Sequence, residues 1–154
     1  MSAVVAASAP RLRPMCEDDL DRIMAIEQSA YEFPWTLGIF RDCLRFGYTC
    51  MVYEDDQDIL GYGLLSVGAG ECHLLNICIA PCYQGRGYGS RLIDLLLDVA
   101  RARNARMAFL EVRVSNQAAF HVYTKMGFNE LGVRKNYYPT HTGREDAMLL
   151  ARSL

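Results

Sequence analysis

Three glycines stand at alternate positions in the segment Gln84-Gly85-Arg86-Gly87-Tyr88-Gly89, between an apolar run and an amphipathic one. Such glycines leave backbone N–H groups free to face an anion, and the start of a helix adds a partial positive charge. Arg86 and Arg91 bring two cationic side chains to this stretch, and Ser90 follows as a residue that starts a helix. The segment predicts a cradle for a pyrophosphate group. A tight turn without a ligand is the alternative that the glycines alone leave open.

A dinucleotide-binding loop is the main competing interpretation of the same segment. Glu111 lies at about the spacing of the acidic residue that binds a ribose in such folds. However, the spacing is G-x-G-x-G followed by Ser90, so the third glycine of G-x-G-x-x-G is absent. Only 43 of the 154 residues follow Glu111, too few for the rest of a doubly wound domain. The sequence therefore disfavours a dinucleotide site.

The cysteines and histidines do not form a pattern typical of a metal site. Six cysteines occupy positions 16, 43, 50, 72, 78 and 82 without a C-x-x-C pair, and no histidine has a second one at ligand spacing. His121 is two residues from Tyr123, so its side chain is expected on a different face of a helix. We expect no metal, reduced thiols and a buried Cys78, with a catalytic histidine as a minor alternative.

Charge and hydropathy exclude several other classes of protein. Sixteen Lys and Arg against eighteen Asp and Glu give a formal charge of -2, which argues against a general nucleic-acid coat. No apolar run approaches the ~20 residues of a membrane-spanning helix. Residues 1–10 are Ala-rich but lack the basic start of a signal peptide. We expect a loose tail there, and a cytoplasmic monomer with no direct nucleic-acid or membrane partner.

Hydrophobic periodicity and turn residues predict the elements that must position these groups. The predicted order is a strand at 11–13, helices at 17–30 and 37–46, strands at 48–53, 59–67 and 71–79, a helix at 90–103, a strand at 107–112, a helix at 116–126, and strands at 128–137 and 146–152. Strands joined by short turns indicate an antiparallel meander, and the strand–helix–strand over 71–112 indicates a parallel βαβ unit. The fold class is α/β, one domain over 11–154 with a mixed central sheet of about seven strands and flanking helices.

The glycine segment and a second motif together resemble the GNAT acetyltransferases. Gln84–Gly89 matches the family's Q/R-x-x-G-x-G/A signature, and Tyr123–Phe128 resembles its Y-x-x-x-G-F segment, with Asn116 ahead of it. The resemblance runs from Arg11 to the end of the chain and implies the GNAT fold with acetyl-CoA as co-substrate. It implies a pyrophosphate held by Gln84, Gly85, Arg86, Gly87, Tyr88, Gly89 and Ser90, a CoA contact from Asn116, and a pantetheine arm paired with the backbone of Ile77, Cys78 and Ile79.

Further segments resemble the branch of this family that acetylates the N-terminal alanine of a small-subunit ribosomal protein, S-eighteen. These segments are Phe33-Pro34-Trp35, Asn76-Ile77, Leu110-Glu111-Val112-Arg113, Ser115-Asn116, Asn136-Tyr137-Tyr138-Pro139 and Gly143-Arg144-Glu145-Asp146-Ala147. The Ala-rich start of the chain lies outside the pattern. The resemblance implies that the partner is the N-terminal segment of that ribosomal protein.

Glu111 and Tyr123 are the candidate catalytic residues. Glu111 ends a buried strand, where burial should raise its pKa, and it can act as a general base through a water molecule. A phenol with a pKa of about 10 suits the protonation of a thiolate whose pKa is about 8.5 or above. The resemblance assigns the base to Glu111 and the acid to Tyr123. The structural alternative for Glu111 is a surface ion pair. The alternative for Tyr123 is a core position beside Phe120 and Phe128.

The acceptor amine separates the possible substrates. An α-amino group has a pKa of about 7.7–8.0 and lysine about 10.4, so a terminal amine is neutral several hundred times more often at pH 7. Phe33, Trp35, Tyr137 and Tyr138 are predicted to wall the acceptor groove, together with Tyr31, although Trp35 suits a core position equally well. Glu32 offers a negative charge to a basic peptide.

We therefore expect direct acetyl transfer to a protein N-terminal amine through a ternary complex, with no cysteine as acetyl carrier. Two alternatives stay open. One is a GNAT enzyme for a small amine such as a polyamine or an antibiotic, which needs a deeper and more acidic pocket. The other is a CoA-binding partner module without turnover, which has no need of both Glu111 and Tyr123.

Overall fold

A computed structural model of the chain describes residues 9–154. The tail predicted over residues 1–10 lies outside the described residues except for Ala9 and Pro10. The first elements are β1 (Arg11–Pro14), α1 (Leu20–Ala30), α2 (Leu37–Arg45) and β2 (Thr49–Glu54). Thr36 caps α2 as predicted, because its Oγ1 accepts a hydrogen bond from Ile39 N at 3.3 Å. The helix therefore begins where the sequence indicates.

The remaining elements alternate between strands and two further helices. They are β3 (Ile59–Gly68), β4 (Glu71–Ile79), α3 (Tyr88–Ala102), β5 (Met107–Arg113), α4 (Gln117–Lys125), β6 (Asn129–Thr140) and β7 (Gly143–Ser153). The seven strands form one sheet in the order β1-β2-β3-β4-β5-β7-β6. The β4–β5 pair is parallel and the other pairs are antiparallel. The predicted mixed sheet with a central βαβ unit is confirmed.

The parallel pair β4–β5 comes apart halfway along its length. Pairing runs from Glu71 opposite Met107 to Leu74 opposite Leu110, and beyond these residues no further pairing joins the two strands in the described chain. A bulge lies at the same point, since Leu64 and Leu65 of β3 face Asn76 and Leu74 of β4 and skip the residue between. A bulge bends its strand and sharpens the local twist. The result is a wedge between the carboxyl halves of β4 and β5.

The bulge also decides which side chains of β4 enter which core. Cys72 and Leu74 belong to the hydrophobic cluster under α3 and α4, whereas Cys78 belongs to the second cluster, under α1 and α2. Strict alternation would put all three side chains on one face of the sheet. The extra residue at the bulge therefore moves Cys78 to the opposite face. Cys78 is buried, as predicted. On the α3 side, a Cβ at Gly63 would lie 2.3 Å from Leu96 Cδ1, so this glycine allows α3 to approach β3 closely.

The final hairpin is longer at its turn than the sequence indicates. We expected strands at 128–137 and 146–152, but pairing continues to Thr140 opposite Gly143. The polar residues around this turn and Gly143 are typical of a loop. They nevertheless pair across the hairpin, beyond a bulge between Arg134 and Tyr138. At that bulge Asn136 has a φ of 51°, and its N–H donates to Asp146 Oδ1 at 2.9 Å. In residues 9–154 no helix has the length and apolar character needed to cross a membrane.

Candidate active site

A cavity of about 410 Å³ opens where β4 and β5 separate. One wall is the stretch 74–77 of β4, and the opposite wall is the stretch 110–113 of β5. The loop between α1 and α2 contributes Tyr31, Phe33 and Trp35. The remaining lining includes Asn116 at the start of α4 and Tyr123 within α4, together with Tyr138 and Pro139 of β6. The wedge therefore collects side chains that are distant in the sequence.

The edge of β4 that faces the wedge carries backbone groups that no strand of the described chain pairs. Ala80 N donates to Leu60 O at 2.8 Å, and backbone direction alternates along a strand, so Ile77 and Ile79 point away from β3. Tyr31 donates its hydroxyl to Ile77 O at 2.8 Å, and Gln84 Nε2 donates to Ile79 O at 2.9 Å. This arrangement leaves the N–H groups of Ile77 and Ile79 without a partner among residues 9–154, so both can bind a ligand. The backbone of Cys78 faces β3, on the other side from the wedge.

The glycine segment forms one compact turn at the start of α3. Gly85 and Gly87 have φ angles of 78° and 82°, in the left-handed region that favours glycine, and Gly87 caps the helix. Tyr88 begins α3 and packs edge-on against Tyr53, with 6.1 Å between ring centroids. Gly89 and Ser90 lie in the first helical turn, and Arg86 is exposed over the ring of Tyr83. The turn brings together the predicted pyrophosphate residues from Gln84 to Ser90.

Glu111 lies at the rim of the wedge with both carboxylate oxygens engaged. Its side chain is 7% exposed; Oε2 lies 2.6 Å from His73 Nε2, and Oε1 lies 3.2 Å from Arg134 Nε. Burial raises the pKa of Glu111, but the hydrogen bond and charge of His73, together with Arg134, lower that pKa more. The net pKa shift is downward, so the predicted rise in the pKa of Glu111 is wrong. The expectation counted burial alone, because the sequence does not place His73 and Arg134 beside this residue.

Tyr123 both packs in the core and borders the cavity. Its ring meets Phe128 edge-on at 5.6 Å, and burial raises its pKa to about 12. Within residues 9–154 its hydroxyl makes no hydrogen bond to another side chain or to the backbone. The catalytic and core interpretations of Tyr123 are therefore compatible. Asn116 caps α4, because its Oδ1 accepts from Ala119 N at 3.1 Å, and its side chain also borders the cavity.

Aromatic rings and Arg113 form the mouth of the cavity. The Arg113 guanidinium lies 5.2 Å from the Phe33 ring centroid and 4.5 Å from that of Tyr138, and it donates to Glu145 at 2.9 Å. Phe33 also stacks on His141, which contacts Glu32. These contacts join the α1–α2 loop to the β6–β7 hairpin.

Four of the five predicted acceptor residues line the cavity, namely Tyr31, Phe33, Trp35 and Tyr138. Tyr137 does not. Its ring stacks edge-on against Tyr138 at 4.9 Å and lies under Arg134, while 43% of the residue is exposed. It therefore supports Tyr138 from outside the mouth.

A buried carboxylate that the sequence analysis missed fixes the α1–α2 loop. Glu27 is 1% exposed and accepts hydrogen bonds from Tyr62 Oη at 2.6 Å, Asn76 Nδ2 at 2.9 Å and Trp35 N at 2.9 Å. The signal in the sequence is a glutamate beside Ile26 in an apolar helix face. Within residues 9–154 no group of three or more His, Cys, Asp or Glu side chains could hold a metal ion.

Comparisons with known proteins identify the family. A sequence model described as the acetyltransferase (GNAT) family matches residues 20–128. The chain is 37% identical over 134 residues to a protein of Haemophilus influenzae named ribosomal protein bS18-alanine N-acetyltransferase, covering 86% of this chain and 91% of that one.

Solved structures agree with that match. The crystal structure of the ribosomal-protein-S18-alanine N-acetyltransferase from Escherichia coli superposes with a TM-score of 0.87, at 34% identity and 94% coverage of both chains. A spermidine N-acetyltransferase chimera from Vibrio cholerae and hSSAT has a TM-score of 0.84 at 24% identity, which reflects the shared fold alone, and covers 95% of this chain and 96% of its own. With its split parallel pair and glycine turn, the chain belongs to the GNAT acetyltransferase family.

Proposed function

We propose that this enzyme transfers the acetyl group of acetyl-CoA to the N-terminal α-amine of a protein, with the alanine terminus of the small-subunit ribosomal protein bS18 as its preferred acceptor. The observation that carries the proposal is the wedge, where the free edge of β4, Glu111, Tyr123 and an aromatic mouth border one cavity. The relatives named for bS18 alanine acetylation are similar over nearly the whole chain, which supports the choice of acceptor.

The donor half of the site would be supplied by β4 and the start of α3. Acetyl-CoA brings an activated thioester when bound. The N–H groups of Ile77 and Ile79 would pair with its pantetheine arm as an added strand does, while Cys78 contributes only packing behind them. The amides of Gly85 to Gly89 and the positive end of α3 would hold the pyrophosphate, with Arg86 and Ser90 beside it. Asn116 would contact CoA from the lining of the cavity.

The acceptor half would be the mouth formed by Phe33, Trp35 and Tyr138. A peptide enters between the α1–α2 loop and the β6–β7 hairpin, and Glu32 offers it a negative charge. The N-terminal amine suits this site better than lysine, because its pKa of about 7.7–8.0 leaves much more of it neutral at pH 7.

Glu111 and Tyr123 would divide the proton transfers. The lowered pKa of Glu111 keeps it a carboxylate at neutral pH, in the form that accepts a proton from the amine. The raised pKa of Tyr123 keeps its phenol protonated, in the form that donates to the departing thiolate. No cysteine is among the cavity-lining residues of the described chain, which supports direct transfer in a ternary complex.

A pair of basic peptides tests the proposed acceptor. One begins with a free alanine, and the other has the same sequence with a blocked N-terminus and free lysines. We expect fragment mass spectrometry to locate one acetyl group on the α-amine of the first peptide and none on the second. Acetylation of small amines alone would favour the small-amine enzyme, and CoA binding without any product would favour the binding module.

Two conservative variants test the catalytic assignments. We expect Glu111→Gln and Tyr123→Phe each to lower kcat by about 100-fold or more, the usual contribution of a general acid or base. Glu130→Gln, on the exposed part of β6, is the matched control and should retain full activity. CoA binding measured by calorimetry should persist in all three. Full activity in either catalytic variant would contradict its assigned role.

A further inference from the structure

Acetyl transfer to an α-amine at neutral pH releases one proton. The amine is then mostly an ammonium group, whose nitrogen carries three protons, because its pKa is about 7.7–8.0. The amide nitrogen of the product carries one proton. Of the two protons lost, one ends on the sulfur of the released thiol and the other must reach solvent. A proton accepted by Glu111 therefore needs an exit.

Glu111 has little contact with solvent of its own, since its side chain is 7% exposed. Arg134 holds one of its oxygens, but a guanidinium keeps its proton in proteins and cannot accept another. His73 holds the other oxygen at 2.6 Å, and 36% of its side chain is exposed. The imidazole is thus the neighbour that touches both the buried carboxylate and water.

The other charged or titratable groups around Glu111 do not offer the same route. Arg113, two residues along β5, donates to Glu145 of β7 and carries a permanent charge. Tyr138 of β6 has a pKa that burial raises well above its ordinary value, so it stays a neutral phenol. Histidine is the side chain that ordinarily gains and loses a proton between pH 5 and 8.

We propose that His73 is a positioning residue that orients Glu111 and carries the amine proton from the Glu111 carboxyl to solvent. The amine nitrogen gives its proton to Glu111, the imidazolium gives its Nε2 proton to water, and the vacated Nε2 then accepts the proton of the Glu111 carboxyl, which restores the ion pair. No bond other than N–H and O–H bonds forms or breaks in this relay. The inference rests on the proposed function, since it concerns the proton released by that reaction.

Substitution of His73 with a chemical rescue tests the relay. His73→Gln keeps an N–H donor for Glu111 but cannot carry the proton, and we expect kcat to fall about 100-fold with little change in the KM for peptide. In His73→Ala, kcat should fall by a similar factor and should recover when imidazole is added to the buffer. His121→Gln, an exposed histidine on α4 outside the site, is the control and should behave as the wild type.

Each other outcome overturns the relay. Wild-type kcat in His73→Gln would show that the proton leaves by another route. Loss of activity in both variants without rescue by imidazole would reduce His73 to a structural contact of Glu111. Failure of the proposed function is distinguishable, because the wild-type chain itself would then give no α-acetylated peptide.

Discussion

Glu27 provides the sharpest test of how the fold builds the site. Its carboxylate joins three elements, because it accepts from Tyr62 of β3, Asn76 of β4 and the backbone of Trp35 in the α1–α2 loop. We predict that Glu27→Ala lowers the free energy of unfolding by about 3–5 kcal/mol. The variant leaves two buried side-chain donors and one half-buried N–H without a partner. Each such group costs about 1–3 kcal/mol, and the loss falls in the lower half of the summed range of about 3–9 kcal/mol because water can reach the half-buried N–H.

Urea unfolding followed by fluorescence measures this loss directly. Trp35 is the single tryptophan of the chain, and its backbone N–H donates to Glu27. Its fluorescence therefore reports on the same region. At about 2–4 °C per kcal/mol for a domain of this size, the midpoint of thermal unfolding should fall by roughly 10 °C.

Both carboxylate oxygens of Glu27 are needed as hydrogen-bond acceptors. Glu27→Gln keeps one acceptor oxygen but turns an amide N–H toward one of the three donors, so we expect an intermediate loss. Glu130→Ala, on the exposed edge strand, is the matched control and should stay within about 0.5 kcal/mol of the wild type. A Glu27→Ala loss below about 1 kcal/mol would refute the argument that the unpaired donors dominate the cost.

Three further predictions concern Gly63, the Arg13–Asp19 ion pair and Cys82. Gly63→Ala should cost about 1–3 kcal/mol in thermal unfolding, since the new methyl overlaps Leu96, and an unchanged midpoint would contradict the close approach of α3 to β3. Arg13 holds the pKa of Asp19 at about 2, below the ordinary 3.8, so this ion pair stabilises the fold above pH 4 and is lost as pH falls toward 2. Urea unfolding at pH 6 and pH 3 should show a smaller acid loss in Arg13→Ala than in the wild type, and equal losses would count against the pair. Cys82→Ala should retain kcat in the peptide assay, because the proposed direct transfer uses no cysteine thiol, and abolished turnover with CoA still bound would contradict that route.

Local patterns in the sequence predict most of the fold. The alternate glycines from Gly85 to Gly89 require a turn with left-handed residues, and the apolar face of α3 repeats at helical spacing, so both are encoded by neighbours in the chain. The antiparallel meander and the parallel pair follow from the same short-range signals, whereas the place of β7 between β5 and β6 was not predicted. The bulge opposite Leu64 and Leu65 has no such signal, and it alone moves Cys78 to the other core.

The chemistry around Glu111 depends on contacts between distant residues. His73 and Arg134 meet its carboxylate only through the register of β4, β5 and β6, which a single sequence does not specify. The sign of the pKa shift at Glu111 was therefore not predicted, although its place in the strand β5 was. Glu27 was overlooked for a related reason, since its three donors come from segments that are far apart in sequence.

A conjugate of CoA and peptide tests the central claim most directly, namely that donor and α-amine meet in the wedge between β4 and β5. The conjugate carries CoA through an acetyl spacer on the α-amine of an alanine-starting peptide, and a second conjugate carries it on a lysine side chain. Calorimetry should find the α-linked conjugate bound at least about 100-fold more tightly than CoA alone, because the two linked parts occupy adjoining sites at once. Equal affinity of the α-linked conjugate and CoA, or equal affinity of the two conjugates, would contradict the account.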